Sequence, residues 1–227
     1  MIKAILFDMD GVVIDSEHLY EKAENNLFAS YGISISDEEL KELKGTTEAD
    51  FYNRLEKRHR PHWDRQKVIN KGRKLLLELF ARDLKFMPGF TSLMNRIQGR
   101  YLTGLVTSTQ RYLFEKICQI LPLGDMFQEI VCADDILNGK PHPEPYLIMM
   151  KRLQVFPKEV VAIEDSLHGI SSAKASGALC IALEDSFSQD ELQAADKVVK
   201  SLDEIHGNLI EALARQRDSL RAGTQIH

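Results

Sequence analysis

No hydrophobic run in the chain approaches the roughly 18 residues of a membrane span, and its first residues read as a short apolar strand followed by acids, unlike a signal peptide. Cysteine is scarce as well. The three present, Cys118, Cys132 and Cys180, are odd in number, lie in apolar surroundings and lack metal-ligand spacing, so they are expected to be reduced core residues of a cytoplasmic protein. Positive charge is in deficit: 29 Lys and Arg stand against 34 Asp and Glu, a net charge of -5. That balance lacks the basic excess of a nucleic-acid binder and points to a small-molecule partner, with no nucleic acid and no membrane involved. Internal repeats and low-complexity segments are also missing.

What is present fits an ordinary globular protein, with 44% hydrophobic and 28% charged residues. A chain of 227 residues can bury a sizeable core and holds one large domain, or one domain with a modest insert. Short apolar runs at Ile2 to Phe7, Tyr101 to Val106, Glu129 to Ala133, Val160 to Ile163 and Ala178 to Leu183 alternate with helix-like stretches. This pattern predicts an α/β fold with an open parallel, Rossmann-like sheet. Between Asp15 and Pro88 the rhythm stops. Helices are expected there from Leu19 to near Gly32, from a Ser36/Glu39 capping box to Gly45, from Glu48 to Arg58, and from Trp63 to Phe80. The expected division is therefore an α/β core over residues 1–15 and 86–227 and an inserted all-helical domain over 16–85. Phe51, Tyr52, Trp63 and Phe80 read as the core of that bundle. The polar tail from Ala214 to His227 is expected to fray.

Four constellations carry chemistry. Asp8-Met9-Asp10-Gly11 places two carboxylates just past the first strand, where Gly11 permits a turn that aims both into one crevice. Parallel α/β folds bind ligands at such strand ends, although Asp and Gly also serve plain turns. Leu105-Val106-Thr107-Ser108-Thr109 ends a strand in hydroxyls, and Thr109 could instead cap the next helix. Gly139-Lys140-Pro141-His142-Pro143-Glu144-Pro145-Tyr146 holds a lysine in a stretch stiffened by proline. Val160 to Ile163 leads into Glu164-Asp165-Ser166, adjacent acids that could hold a hard cation or cap a helix.

Phe7 to Ser16 matches hydrophobic-DxDGxxxDS, and with the other three segments in this order the chain resembles the phosphatase branch of the haloacid dehalogenase-like superfamily. The resemblance implies Asp8 as nucleophile and Asp10 as general acid and base. It implies Lys140 as a charge-neutralising catalytic residue, which with Thr107 and Ser108 contacts phosphate. It implies Mg2+ held by Asp8, the main-chain oxygen of Asp10, Asp165 and Glu164. The helical insert resembles the family's cap, with Ser16 and the region near Pro88 flanking its hinges. The implied activity is Mg2+-dependent hydrolysis of a small phosphorylated metabolite, a phosphosugar or similar phosphomonoester, by a monomer or weak homodimer.

The alternative is a phosphosugar mutase similar to β-phosphoglucomutase. That family's cap carries Gly-x-Ser-Arg, whereas Gly45-Thr46-Thr47-Glu48 corresponds here and puts an acid where the second phosphate would bind. Lys44 or Lys71 could replace the missing arginine, and His18 or Lys44 could touch substrate from the cap. A response-regulator receiver also phosphorylates an aspartate, but after its third strand and in a chain about half as long.

Overall fold

The computed structural model describes residues 1–43 and 46–224. Six parallel strands form one sheet: β1 (Ala4–Phe7), β2 (Leu102–Val106), β3 (Glu129–Val131), β4 (Val160–Glu164), β5 (Leu179–Leu183) and β6 (Lys197–Val199). Their spatial order is β3-β2-β1-β4-β5-β6. Residues alternate across the sheet, so Ile5, Phe7, Val161 and Ile163 join one apolar core while Ala4, Leu6, Val160 and Ala162 join another on the opposite face. Burial on both faces is why these strands read as continuous apolar runs. Chain direction reverses its progress across the sheet at β1, which lies between β2 and β4. A crevice opens there at the strands' carboxyl ends.

Between β1 and the rest of the sheet lie α1 (Glu17–Ala29), α2 (Asp37–Leu43), α3 (Glu48–His59) and α4 (Arg65–Asp83). Gly32, at φ +69, lets the chain turn after α1. Ser36 Oγ accepts from the Glu39 N–H as the capping box requires, while the expected stop at Gly45 lies outside the described residues. The last helix starts at Arg65 rather than Trp63, because Asp64 takes the cap position and accepts from the Lys67 N–H. Trp63 is thereby released to pack 6.0 Å from Phe28, which also lies 6.0 Å from Phe51. Such ring pairs contribute about 0.5–1.5 kcal/mol each beyond area burial. Tyr52 belongs to this small cluster, but Phe80 does not: it is buried with Leu19, Leu76 and Leu84 in the larger core that also holds β1.

The segments leading into and out of these helices run side by side. Asp15 N–H donates to Lys85 O at 2.9 Å, Met87 N–H to Val13 O at 3.0 Å, and Ile14 pairs antiparallel with Phe86.

The remaining helices are α5 (Phe90–Ile97), α6 (Arg111–Cys118), α7 (Glu144–Arg152), α8 (Leu167–Ala175) and α9 (Gly207–Thr224). The expected fraying of the tail is corrected by α9, which continues through Ala214 to Thr224; residues 225–227 lie outside the described part. Ile210, Leu213 and Ala214 recur at helical spacing and bury into the main core, and Arg217 donates to Lys158 O. Strand β6, three residues long, has no counterpart in the expected elements. The described cysteines are free, Cys132 and Cys180 buried and Cys118 half-buried, and no described helix is long and apolar enough to cross a membrane.

Candidate active site

The carboxyl ends of β1 and β4 bring Asp8, Glu164 and Asp165 together, all buried, with a carboxylate oxygen from each within 4.8 Å of the others. Lys140 is buried with them. Its ammonium donates to Asp8 Oδ1 at 2.6 Å, Glu164 Oε1 at 2.7 Å and Val106 O at 3.2 Å, which occupies all three of its N–H bonds. Burial opposes the lysine's charge, but the carboxylates of Asp8 and Glu164 outweigh it and raise its pKa. Burial likewise raises that of Glu164, reinforced by Asp8 and opposed by Lys140. The Tyr146 hydroxyl donates to Glu164 Oε1 at 2.5 Å. A Cβ on Gly169 would fall 1.9 Å from Glu164 Oε2, so the first turn of α8 must carry glycine for Glu164 to lie where it does.

Gly11 has φ +72, and a Cβ there would fall 2.2 Å from Asp165 Oδ2. Only glycine meets both demands. The turn it makes, with the N–H groups of Val13 and Ile14 donating to Met9 O, carries Asp10 back toward Asp8. Ser16 donates to Asp10 Oδ1 at 2.7 Å and Thr109 to Asp10 Oδ2 at 3.2 Å. Burial, then the charge of Asp8, push the Asp10 carboxyl up to about 7 despite those two hydroxyls. A group titrating there can both give and take a proton at neutral pH. Ser16 stands at the N-cap position of α1 yet makes no cap bond, its hydroxyl being turned to Asp10.

The hydroxyl run after β2 divides its roles. Thr107 is buried and its Oγ1 accepts from the Thr109 N–H at 3.0 Å, whereas Ser108 and Thr109 line the cavity over the strand ends. Thr109 is not the helix cap, since Gln110 holds that position before α6. Ser166 does cap α8, accepting from the Gly169 N–H at 3.0 Å.

That cavity, about 480 Å3, is floored by Asp8, Asp10 and Asp165 and roofed by the helices before β2. His18 is absent from its lining; it is exposed and bonds Asp15. Lys71 bonds Ser30 and lies over Tyr31, and Lys44 is outside the described residues. Among the described residues the cavity presents two cations that the sequence expectations passed over: Lys41 of α2, and Arg73 of α4, whose Nε and Nη2 donate to Glu48 at 2.9 and 2.6 Å and whose Nη2 also reaches Gln110. Ser16, Thr109, Tyr146 and Gly169 were missed too. All four lie inside the segments that the motifs cover, the fourth of which runs on to Ile170; Arg73 and Glu48 are 25 residues apart and only the packing of α3 on α4 joins them.

Asp8, Glu164 and Asp165 fit a hard divalent cation: three buried carboxylates on one small volume form an oxygen donor set of the kind Mg2+ takes.

Residues 5–183 match the family model for a haloacid dehalogenase-like hydrolase. Among curated proteins, the chain is 32% identical to a phosphorylated carbohydrates phosphatase of Thermotoga maritima, with 78% of this chain and 82% of that one aligned. It is 33% identical to hexitol phosphatase B of Escherichia coli over 77% of this chain and 80% of that one. Among solved structures, a β-phosphoglucomutase of Clostridium difficile superposes with a TM-score of 0.84 at 23% identity, covering 96% of this chain and 100% of the other, a likeness of fold. With its strand-end carboxylates, buried lysine and a family match over most of its length, the chain belongs to the haloacid dehalogenase-like hydrolases.

Proposed function

We propose that the protein hydrolyses the phosphomonoester of a small phosphorylated metabolite, a phosphosugar or a similar polyol phosphate, through an aspartyl-phosphate on Asp8. The observation that carries this is the placement of two carboxyls with opposed environments side by side. Asp8 is held by the Lys140 ammonium at 2.6 Å, while Asp10 is pushed up to about 7. One group suits attack and the other suits proton transfer.

In the first step an Asp8 carboxylate oxygen attacks phosphorus and the bond to the leaving oxygen breaks, while the Asp10 carboxyl gives that oxygen its proton. In the second, the Asp10 carboxylate takes a proton from water as the water oxygen attacks phosphorus, the bond to Asp8 breaks and inorganic phosphate leaves. Ser16 and Thr109 hold the Asp10 carboxyl in place for both transfers. Lys140, fixed by Glu164 and Tyr146, keeps positive charge beside the nucleophile. Thr107 and Ser108 give the phosphate-binding end of the site, Ser108 from the cavity lining and Thr107 from behind it, where its hydroxyl accepts from the Thr109 N–H. Asp8, Asp165, Glu164 and the main-chain oxygen of Asp10 would hold Mg2+, which would supply positive charge against the repulsion between phosphate and carboxylate. Residues 16–85 act as the cap, hinged where Val13 to Asp15 lies against Lys85 to Met87, and exclude bulk water from Asp8.

Support for the substrate class comes from the relatives, two of which are named for phosphorylated carbohydrates and hexitols. A screen of phosphorylated metabolites and p-nitrophenyl phosphate in Mg2+ tests the function: phosphate release is expected, and lost in EDTA. No release from any of them sinks it. Arg73 favours a second reading, a mutase, because a guanidinium over the cavity could hold a second phosphate. Its pairing with Glu48 weighs against that reading. Following β-glucose 1-phosphate by phosphorus NMR separates the two, since a mutase yields glucose 6-phosphate without matching phosphate release.

A further inference from the structure

Among the described residues, two cations line the cavity, Lys41 of α2 and Arg73 of α4. Both are already matched. Lys41 crosses from the roof to Glu191 at 2.8 and 3.0 Å and lies 4.7 Å over the Phe187 ring. Arg73 meets Glu48 through two parallel bonds and extends to Gln110, the residue that precedes α6 on the sheet side. The carboxylates on the cavity's roof, Glu17, Glu24 and Glu48 among them, outnumber these cations.

The Arg73 fork is therefore occupied. Either edge through which this guanidinium could grip a phosphate with two N–H groups includes Nη2, which Glu48 and Gln110 already hold. A second phosphate entering there would have to displace the carboxylate and then lie beside it, dianion against anion. Side-chain exposures of 24% for Arg73 and 27% for Glu48 leave the pair only partly screened by water, so the sign of the charge is felt. A neutral group bearing hydroxyls meets no such penalty, since it can donate to Glu48 and leave the ion pair in place.

We propose that the Glu48–Arg73 pair is a specificity filter: it admits substrates with one phosphate and an uncharged hydroxylated remainder, and it rejects those with a second phosphate. Arg73 is the specificity-determining cation and Glu48 keeps it cancelled. This rests on the phosphatase reading, whose site sets where the first phosphate lies. Glu48 also begins α3, where an acid favours the helix dipole, so a purely structural role is the alternative that the test must separate.

The test measures binding without turnover, by calorimetry of fructose 1-phosphate and fructose 1,6-bisphosphate in Mg2+ to full-length protein carrying Asp8→Asn. The readout is the ratio of the two dissociation constants, bisphosphate over monophosphate, which cancels general losses of affinity. Adding Glu48→Gln is expected to lower the ratio by about tenfold, the change that about 1.4 kcal/mol produces. Adding Arg73→Gln is expected to raise it, and the double replacement to bring it back near the parent value. Glu48→Gln is isosteric, Arg73→Gln only shortens a side chain, both fall on a part-exposed pair, and the two single variants move the ratio in opposite directions, so either suffices. Binding of both sugars with an unmoved ratio overturns the filter alone. Binding of neither sugar to any variant overturns the filter together with the phosphosugar reading, whereas the phosphatase reading stands or falls separately on phosphate release by the wild-type protein.

Discussion

Floor and roof of the cavity use charge differently. On the floor, Lys140 is nearly inaccessible, and its charge is divided among Asp8, Glu164 and a main-chain oxygen, with Tyr146 and Gly169 fixing Glu164 from behind. On the roof the ion pairs are part-exposed: Arg73 of α4 meets Glu48 of α3, and Lys41 of α2 reaches across to Glu191 between β5 and β6. In a buried network of the first kind, removing the shared lysine would leave two carboxylates without their cation. Pairs of the second kind contribute little to stability and can change sign at small cost. On the proposed function, chemistry is placed where substitution is hardest, and selection of the substrate where it is easiest.

The sharpest way to break this comparison is Asp8→Asn. Turnover is expected to fall by at least about a hundredfold, as when one group acting directly in the transition state is lost, while the melting curve stays cooperative because Lys140 keeps Glu164 as its partner. A residual rate above a hundredth of wild type, measured as phosphate release, removes Asp8 from the role of nucleophile. Next in size is the metal requirement. Asp165→Asn is expected to raise the Mg2+ concentration for half-maximal rate by about tenfold or more. Asp134→Asn changes an acid that accepts the Arg111 N–H at 2.6 Å, away from the metal cluster, and should leave that concentration where it was. Equal shifts in the two variants would mean the cation lies elsewhere.

The smallest expected effect belongs to the roof. Glu24 lines the cavity, and burial, then the charge of Glu21, push its carboxyl up to about 8. The folded protein therefore holds a proton there that the unfolded chain has released above about 4.5, so stability declines as pH rises from about 4.5 to 8. Glu24→Gln cannot ionise. It should melt with the wild type near pH 4.5 and about 2–4 °C above it at pH 8, the shift that about 1 kcal/mol gives in a chain of this size. A wild-type advantage at pH 8 in scanning calorimetry would show that the ionised carboxylate is welcome in the cavity.

The same contrast explains what could be read before the structure. The meeting of Asp8, Glu164 and Asp165 at the strand ends was legible because such positions leave a local imprint, an apolar run, an abrupt acid, a glycine where the chain must turn, whereas Lys140 came with its proline-stiffened segment and the family resemblance. The five main strands were legible for the same reason, each within a residue or two at either end. Strand β6 was not, since Lys197-Val198-Val199 is too short to show a period. Helix α9 hid behind a polar composition that its buried stripe of Ile210, Leu213 and Ala214 contradicts. Thr109 looked like a helix cap because its hydroxyl's true partner, Asp10, lies 99 positions away. Arg73 was invisible for the same reason, because nothing near it in the chain announces which way α4 faces.

The adjoining segments at Val13 to Asp15 and Lys85 to Met87 carry one more implication. Because the chain leaves the sheet and returns to it as neighbouring antiparallel partners, the gap to be bridged is only about 4.5–5.5 Å. To the strands, everything between leaves and returns at one place, and residues such as Leu19, Leu76 and Phe80 enter the core beside β1. A different bundle could be spliced between Asp15 and Lys85 with the same two hydrogen bonds at the seam, provided it returned apolar side chains to those places. The architecture thus lends itself to grafting, with one α/β base able to receive different inserts at a single seam.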